Sequence, residues 1–325
     1  MRIQDKVVVI TGGASGLGLA TAHYLLQEKG ARIAIFDMNV EAGQKAAAEL
    51  GEERALFVQA DVSDEVAIAA IMEEAQPEVV VHLAARAGVR PSLEQPLLYE
   101  RTNVRGTMVL LEESRKRGVR KFIFASSSSI YGIANRIPFS EEDNFNLPIS
   151  PYAATKIAGE KIAYTYSHLY GLSVVCLRFF TVYGPRQRPD LAIRLFIELI
   201  DGGRPISVFG DGSSGRDYTF VDDTVSGILA AMNFDCGFEV FNLGNSSPVN
   251  LLKLIASIEE ALGRNAEVRW LPEQPGDVPI TWADTSKAQR LLGYAPKVVL
   301  QEGVERQAAW HRARALEAVP SEGVR

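Results

Sequence analysis

Short apolar runs recur along the first half of the chain, beginning at Val7, Ile33, Leu56, Val79, Phe122 and Val174, and helical stretches lie between them. They are rich in β-branched residues without polar alternation, as in Val7-Val8-Val9-Ile10, which predicts strands covered on both faces. Strand and helix in alternation predict an α/β fold on a doubly wound parallel sheet. After about residue 180 the rhythm changes. The stretch from Arg188 to Leu199 reads as a helix, Pro205 to Gly215 as a strand and glycine turn, Leu251 to Leu262 as a helix, and Trp270 to Asp277 as a loop. The expected organisation is a sheet domain over residues 1–180 and a smaller, partly discontinuous α/β cap over 181–325, with a ligand cleft between them.

A chain of 325 residues with 47% hydrophobic content has ample material for a core without covalent staples. Its net charge of -6 and pI near 5.4, with Lys and Arg scattered, argue against nucleic acid or an anionic membrane as partner. Cys176 and Cys236 make no disulfide or ligand pattern, and His23, His82, His168 and His311 show no metal spacing. With no leader-like opening and no apolar run near ~18 residues, a soluble cytoplasmic protein is expected.

The first strand runs directly into Thr11-Gly12-Gly13-Ala14-Ser15-Gly16-Leu17-Gly18, and a helix follows from about Gly16. Strand, glycine turn and helix in this order make a Rossmann-type dinucleotide site. Glycines admit the pyrophosphate close to the backbone, and the helix N-terminus offers its amides. Gly12, Ser15, Gly16, Leu17 and Gly18 are the candidate contacts. The second strand ends at Asp37, about 20 residues on, where a carboxylate accepts the adenosine ribose hydroxyls and repels a 2′-phosphate, favouring NAD over NADP. The third ends at Asp61-Val62, also counted with the cofactor contacts; Asp61 either caps the next helix or hydrogen-bonds the adenine amino group.

Tyr152 and Lys156 stand four apart in Ser150-Pro151-Tyr152-Ala153-Ala154-Thr155-Lys156. A helix opening at Pro151 places them on one face, so the ammonium is expected to lower the phenol's pKa from its usual ~10 and make Tyr152 a base. Ser127, in Ala125-Ser126-Ser127-Ser128-Ser129-Ile130-Tyr131-Gly132, would share the substrate's proton from a strand end.

From about Gln76 onward the chain resembles the extended short-chain dehydrogenase/reductases, specifically the nucleotide-sugar 4-epimerases. The motifs are His82-Leu83-Ala84-Ala85, Thr102-Asn103-Val104-Arg105-Gly106-Thr107, the serine run, Tyr152 to Lys156, Leu177 to Pro185, Gly215-Arg216-Asp217-Tyr218 and Pro275 to Pro279. The resemblance implies that Leu83, Ala84, Ala85, Tyr152 and Lys156 bind NAD, with Asn103 supporting the site. It also implies that Arg216 holds the UDP diphosphate, that Asp277 belongs to the loop closing over the nucleotide, and that the protein is a homodimer built from the helices around 104–116 and 152–169. Related dehydratases and decarboxylases carry an acidic residue where this chain has Ser129, preceded by Ser128, so simple epimerisation is expected. Pro185-Arg186-Gln187-Arg188-Pro189-Asp190 is similar to UDP-glucuronate 4-epimerases, in which the second Arg and a Thr matching Thr181 address the uronate carboxylate. The candidate substrate contacts are thus Ser127, Ser128, Thr181, Arg188, Arg216 and Asp277, and the runner-up is a UDP-glucose 4-epimerase.

The first 75 residues depart from that pattern. Their loop is spaced TGxxxGxG rather than TGxxGxxG, and an Ala-rich helix follows Asp37 in place of an asparagine-rich stretch. This opening resembles short-chain dehydrogenases close to 3-hydroxyacyl-CoA dehydrogenase type 2. It suggests a chimera of two Rossmann relatives with a seam between 71 and 79, and with it two further alternatives, a hydroxyacyl or steroid-type dehydrogenase and an NAD-binding scaffold with little activity.

Overall fold

The computed structural model describes residues 6–27, 31–133, 136–143, 147–273 and 278–317. Its strands in the first half are β1 (Val7–Thr11), β2 (Arg32–Asp37), β3 (Ala55–Gln59), β4 (Val79–His82), β5 (Lys121–Ser127) and β6 (Val174–Phe179). Those of the second half are β7 (Thr181–Tyr183), β8 (Ile206–Phe209), β9 (Gly215–Phe220), β10 (Phe238–Leu243), β11 (Pro248–Asn250) and β12 (Val268–Leu271). Seven of them form one parallel sheet in the order β10-β6-β5-β4-β1-β2-β3. The chain winds outward from β1 through β3, crosses back to β4, and winds the other way. That reversal opens a crevice at the carboxyl ends of β1 and β4, where open α/β sheets bind ligands.

Both faces of the sheet are buried, which is why its strands read as unbroken apolar runs. Val8 and Ile10 pack on one side with Ile33, Ile35, Val79, Val81 and Ile123. Val9 packs on the other with Phe36, Val80, Phe122 and Phe124. Residues before and after 71–79 therefore share both cores, and β1 pairs with β4 from Val8–Val79 to Thr11–His82.

The second half is not a separate body. Strand β10 and the helix Val221–Asn233 return to the main sheet, where Ile228, Met232 and Phe241 join its core. The rest forms a cap of two small sheets, β11-β9-β7 and β12-β8, around its own cluster of Tyr183, Phe196, Ile206, Phe220 and Leu254. The helix expected from Arg188 begins only at Ala192. Pro189 disfavours helical backbone at Arg188, and Leu191 is still extended at φ -86 and ψ 142, so Arg188 lies in a loop. Trp270 and Leu271, expected in a loop, close strand β12 against β8.

Candidate active site

The glycine loop is shaped for close backbone approach. A Cβ on Gly18 would stand 2.1 Å from the Gly12 carbonyl oxygen, and one on Gly12 would stand 2.9 Å from the Ala84 amide nitrogen. Gly12 and Gly16 hold φ of +69 and +52, the left-handed region where a side chain is strained. Gly16 opens the helix Gly16–Gln27, so free N-terminal amides face the loop. The cradle fits a dinucleotide pyrophosphate. Asp37 ends β2 with Oδ2 accepting from Ala14 N at 3.2 Å and Oδ1 from Asn39 N at 3.0 Å, which holds its carboxylate against the loop.

Of the two roles left open for Asp61, the capping role falls to Asp64, whose side chain accepts from the amides of Val66 and Ala67. Asp61 instead accepts from Ser63 N and Oγ at 2.9 and 2.8 Å and pairs with Arg101 at 3.3 Å. These hydrogen bonds and the Arg101 charge outweigh burial and hold its pKa below the usual carboxylate value.

The catalytic candidates converge. Ser150 caps the helix Pro151–Tyr170 by accepting from Ala153 N at 3.1 Å, with Pro151 in its first turn. Ser127 ends β5, where its hydroxyl donates to Ser129 Oγ at 3.1 Å and lies near enough to the Tyr152 phenol to act on its pKa. Burial raises the phenol's pKa, the Ser127 hydroxyl and the Arg188 charge pull it down, and Tyr99 raises it. Tyr99 meets the Tyr152 ring edge-on, centroids 6.2 Å apart, and its hydroxyl donates to the Ala87 carbonyl at 2.9 Å. Lys156 Nζ lies 5.9 Å from the centre of the Tyr152 ring. Its ammonium donates to the Ala125 carbonyl oxygen at 2.7 Å, and in this arrangement Arg188 is the cation acting on the phenol. Burial pushes the Lys156 pKa down to about 8 against the opposing Glu160 charge.

Asn103 supports the site without facing the cleft. Its Nδ2 donates to the Arg86 carbonyl at 2.9 Å and to Thr155 Oγ1 at 3.0 Å, while Oδ1 accepts from Arg86 N at 2.8 Å. Both amide donors are thus satisfied inside the protein.

His82 extends the same framework. Thr107 donates to the Asn103 carbonyl at 2.6 Å, so across the 3.0 Å contact with Thr107 it is His82 Nε2 that carries the proton. Burial and the Lys156 charge push the His82 pKa down to about 3, leaving Nδ1 to accept from Thr11 at 2.8 Å. The Ala84 amide donates to that same Thr11 oxygen at 3.1 Å. The end of β1 is thereby joined to the tyrosine helix.

Below the serines, Glu160 accepts from Ser126 at 2.5 Å and from Arg178 through two bonds of 2.9 Å. Sequence reasoning missed Tyr99, His82, Glu160 and Arg178, because their significance lies in partners distant along the chain.

The remaining candidates are spread across the cap. The register Ser127–Phe179 between β5 and β6 brings β7, and half-buried Thr181, just past the serine. Ser128 opens the short turn Ser128–Tyr131. Arg188 grips Asp190 with Nε at 3.0 Å and Nη2 at 2.6 Å. Arg216 lies on β9 with Nη1 on its neighbour's carbonyl, Gly215 O, at 2.8 Å. Asp277 lies outside the described residues.

Residues 8–244 match the profile of the NAD dependent epimerase/dehydratase family. The chain belongs to this family. The match spans 71–79, and a seam there is not shown. The chain is 40% identical to the UDP-glucuronate 4-epimerase of Thermodesulfobacterium geofontis, covering 94% of this chain and 95% of that one. Among solved structures it is similar to the UDP-glucuronic acid 4-epimerase of Bacillus cereus in complex with UDP-glucuronic acid and NAD (TM-score 0.87, 33% identity, 95% of this chain and 99% of that one). It is also similar to the UDP-glucose 4-epimerase of Thermotoga maritima with UDP-glucose (TM-score 0.88, 34% identity, 95% and 99%). Among the described residues, no helix of this epimerase-family chain is long and apolar enough to cross a membrane.

Proposed function

We propose that this chain interconverts UDP-glucuronate and UDP-galacturonate through a 4-keto intermediate. The observation that carries the choice of sugar is Arg188, whose charge acts on the Tyr152 phenol and whose fork already holds a carboxylate, that of Asp190. A planar guanidinium suits a sugar carboxylate in the same way, and neutralising that charge discourages loss of CO2 from the β-keto acid.

In this reading Tyr152, as phenolate, removes the 4-OH proton while the Ser127 hydroxyl shares it. Bound NAD supplies a reversible hydride acceptor for C4. Lys156, now on the Ala125 carbonyl, would help hold the nicotinamide ribose. The keto sugar rotates about its phosphate link and presents its other face, where C4 would take back the hydride it gave up while Tyr152 returns the proton to the 4-oxygen. Thr181 and Ser128 line the sugar site, Arg216 holds the diphosphate, and Ser129 supplies no carboxylate for elimination. The sugar site is formed mainly by residues 181–325 against the sheet domain of 1–180. The test is incubation with UDP-glucuronate and with UDP-glucose, separating the epimers by chromatography. Turnover of UDP-glucose alone selects the runner-up, which the Thermotoga maritima neighbour favours.

Exposed Met108, Tyr164 and Leu169 on the helices Gly106–Lys116 and Pro151–Tyr170 support a homodimer, to be checked by light scattering. The TGxxxGxG spacing supports a recombinant origin of the first 75 residues, and the cores shared across 71–79 favour an active enzyme over an inert scaffold. Aligning 1–75 and 80–325 separately to one epimerase tests that origin, and equal similarity would reject it.

A further inference from the structure

Gly16 and Arg186 meet although they lie far apart in sequence. A Cβ placed on Gly16 has a single neighbour within 4 Å, the Arg186 carbonyl oxygen at 3.6 Å. Two residues on, the Arg188 guanidinium acts on Tyr152, and its Nη2 lies 3.8 Å from the Cβ position of Gly88. The strap from Gly184 to Asp190 thus runs from the pyrophosphate loop to the catalytic phenol, along the cofactor cleft. One edge of it is fixed to the cap. Gly184 N donates to Gln307 Oε1 at 2.8 Å, and buried Gln187 donates to the Val182 carbonyl at 2.9 Å while accepting from Gln307 Nε2 at 2.9 Å.

The other edge reaches the helices of the sheet domain through Arg186. Arg186 Nη2 pairs with Glu49 Oε1 at 2.7 Å, and Glu49 stands on the helix Val40–Leu50 that follows Asp37. His23 Nε2, on the helix that follows the glycine loop, lies 2.9 Å from the same oxygen. Arg186 holds φ +67, a left-handed conformation that strains a non-glycine residue and persists only where contacts enforce it.

We infer that Arg186 and Glu49 form a latch that holds the strap closed over the bound dinucleotide and slows its departure. The pair spans cap and sheet domain on the adenosine side of the cleft. It touches neither the sugar site nor Tyr152, so the latch works whichever UDP-sugar is turned over.

The protein loaded with isotopically labelled NAD and chased with unlabelled NAD tests this. Glu49→Gln and Arg186→Ala are each expected to raise the NAD dissociation rate by about fivefold, the range open to a half-exposed ion pair. The double variant should release NAD no faster than either single one, because both remove the same contact. Arg186→Gly, which also relieves the backbone, should behave like Arg186→Ala. Unchanged dissociation in Glu49→Gln, a double variant in which the single effects multiply, or wild-type retention in Arg186→Gly would each overturn the latch. Glu49→Gln is nearly isosteric on a half-exposed helix position, so its fold, monitored by thermal melting, is expected to persist.

Discussion

Lys156 stands one helical turn from Tyr152, yet its ammonium turns to strand β5 and donates to the Ala125 carbonyl oxygen at 2.7 Å. A charge in that buried position costs stability, and burial lowers its pKa from 10.5 to about 8. Because the folded value lies below the unfolded one, the penalty is complete below pH 8 and is relieved as pH rises from 8 towards 10.5. Lys156→Met should abolish turnover while stabilising the protein at pH 7 by about 1–3 kcal/mol. Urea melts at pH 7 and pH 10 check this, the advantage shrinking at the higher pH.

Removing the titrating phenol tests the base. Tyr152→Phe should lower kcat by about 10²- to 10⁴-fold while UDP-sugar binding and the melting temperature stay close to wild type. A small loss in initial-rate assays would assign the proton transfer to another group.

Arg188 is expected to act in two separable ways. Its charge lowers the Tyr152 pKa, so Arg188→Ala should raise that pKa and move the acidic limb of the pH–rate profile to higher pH with either sugar. At a pH where both proteins carry the phenolate, UDP-glucuronate should still lose about 2–4 kcal/mol in kcat/KM, whereas UDP-glucose loses little. Equal losses at every pH would make Arg188 structural.

Since the cycle regenerates NAD without releasing it, the cofactor should copurify. Denaturing the pure protein and assaying the supernatant enzymatically should yield NAD rather than NADP, because the Asp37 carboxylate held against Ala14 N repels a 2′-phosphate. Recovery of mainly NADP would contradict that role.

Glu160 accepts three hydrogen bonds in a buried site, two of them from Arg178. Glu160→Gln leaves the Arg178 charge without its partner and should destabilise by about 3–5 kcal/mol in denaturant unfolding. A change near zero would mean that water replaces the carboxylate.

The order of elements and the location of the cofactor loop were legible in the chain, because buried parallel strands impose continuous apolar runs and a pyrophosphate site demands glycines between strand and helix. The positions of Gly12, Gly16, Gly18, Asp37, Ser127 and Tyr152 were legible for the same reason, since each lies at the end of a strand, in the turn after it or at the start of a helix. Other features were decided only when distant segments met. The sequence offered Asp61 as a cap, and in the packed backbone it is Asp64, three residues on, that takes that role. The spacing put Lys156 beside Tyr152, but the carbonyl that holds its ammonium belongs to Ala125, 31 positions earlier. Arg186 and Glu49, 137 positions apart, carry no local pattern at all. Hydrogen bonding and charge act over a few ångströms of space, and only the fold turns separation along the chain into distance.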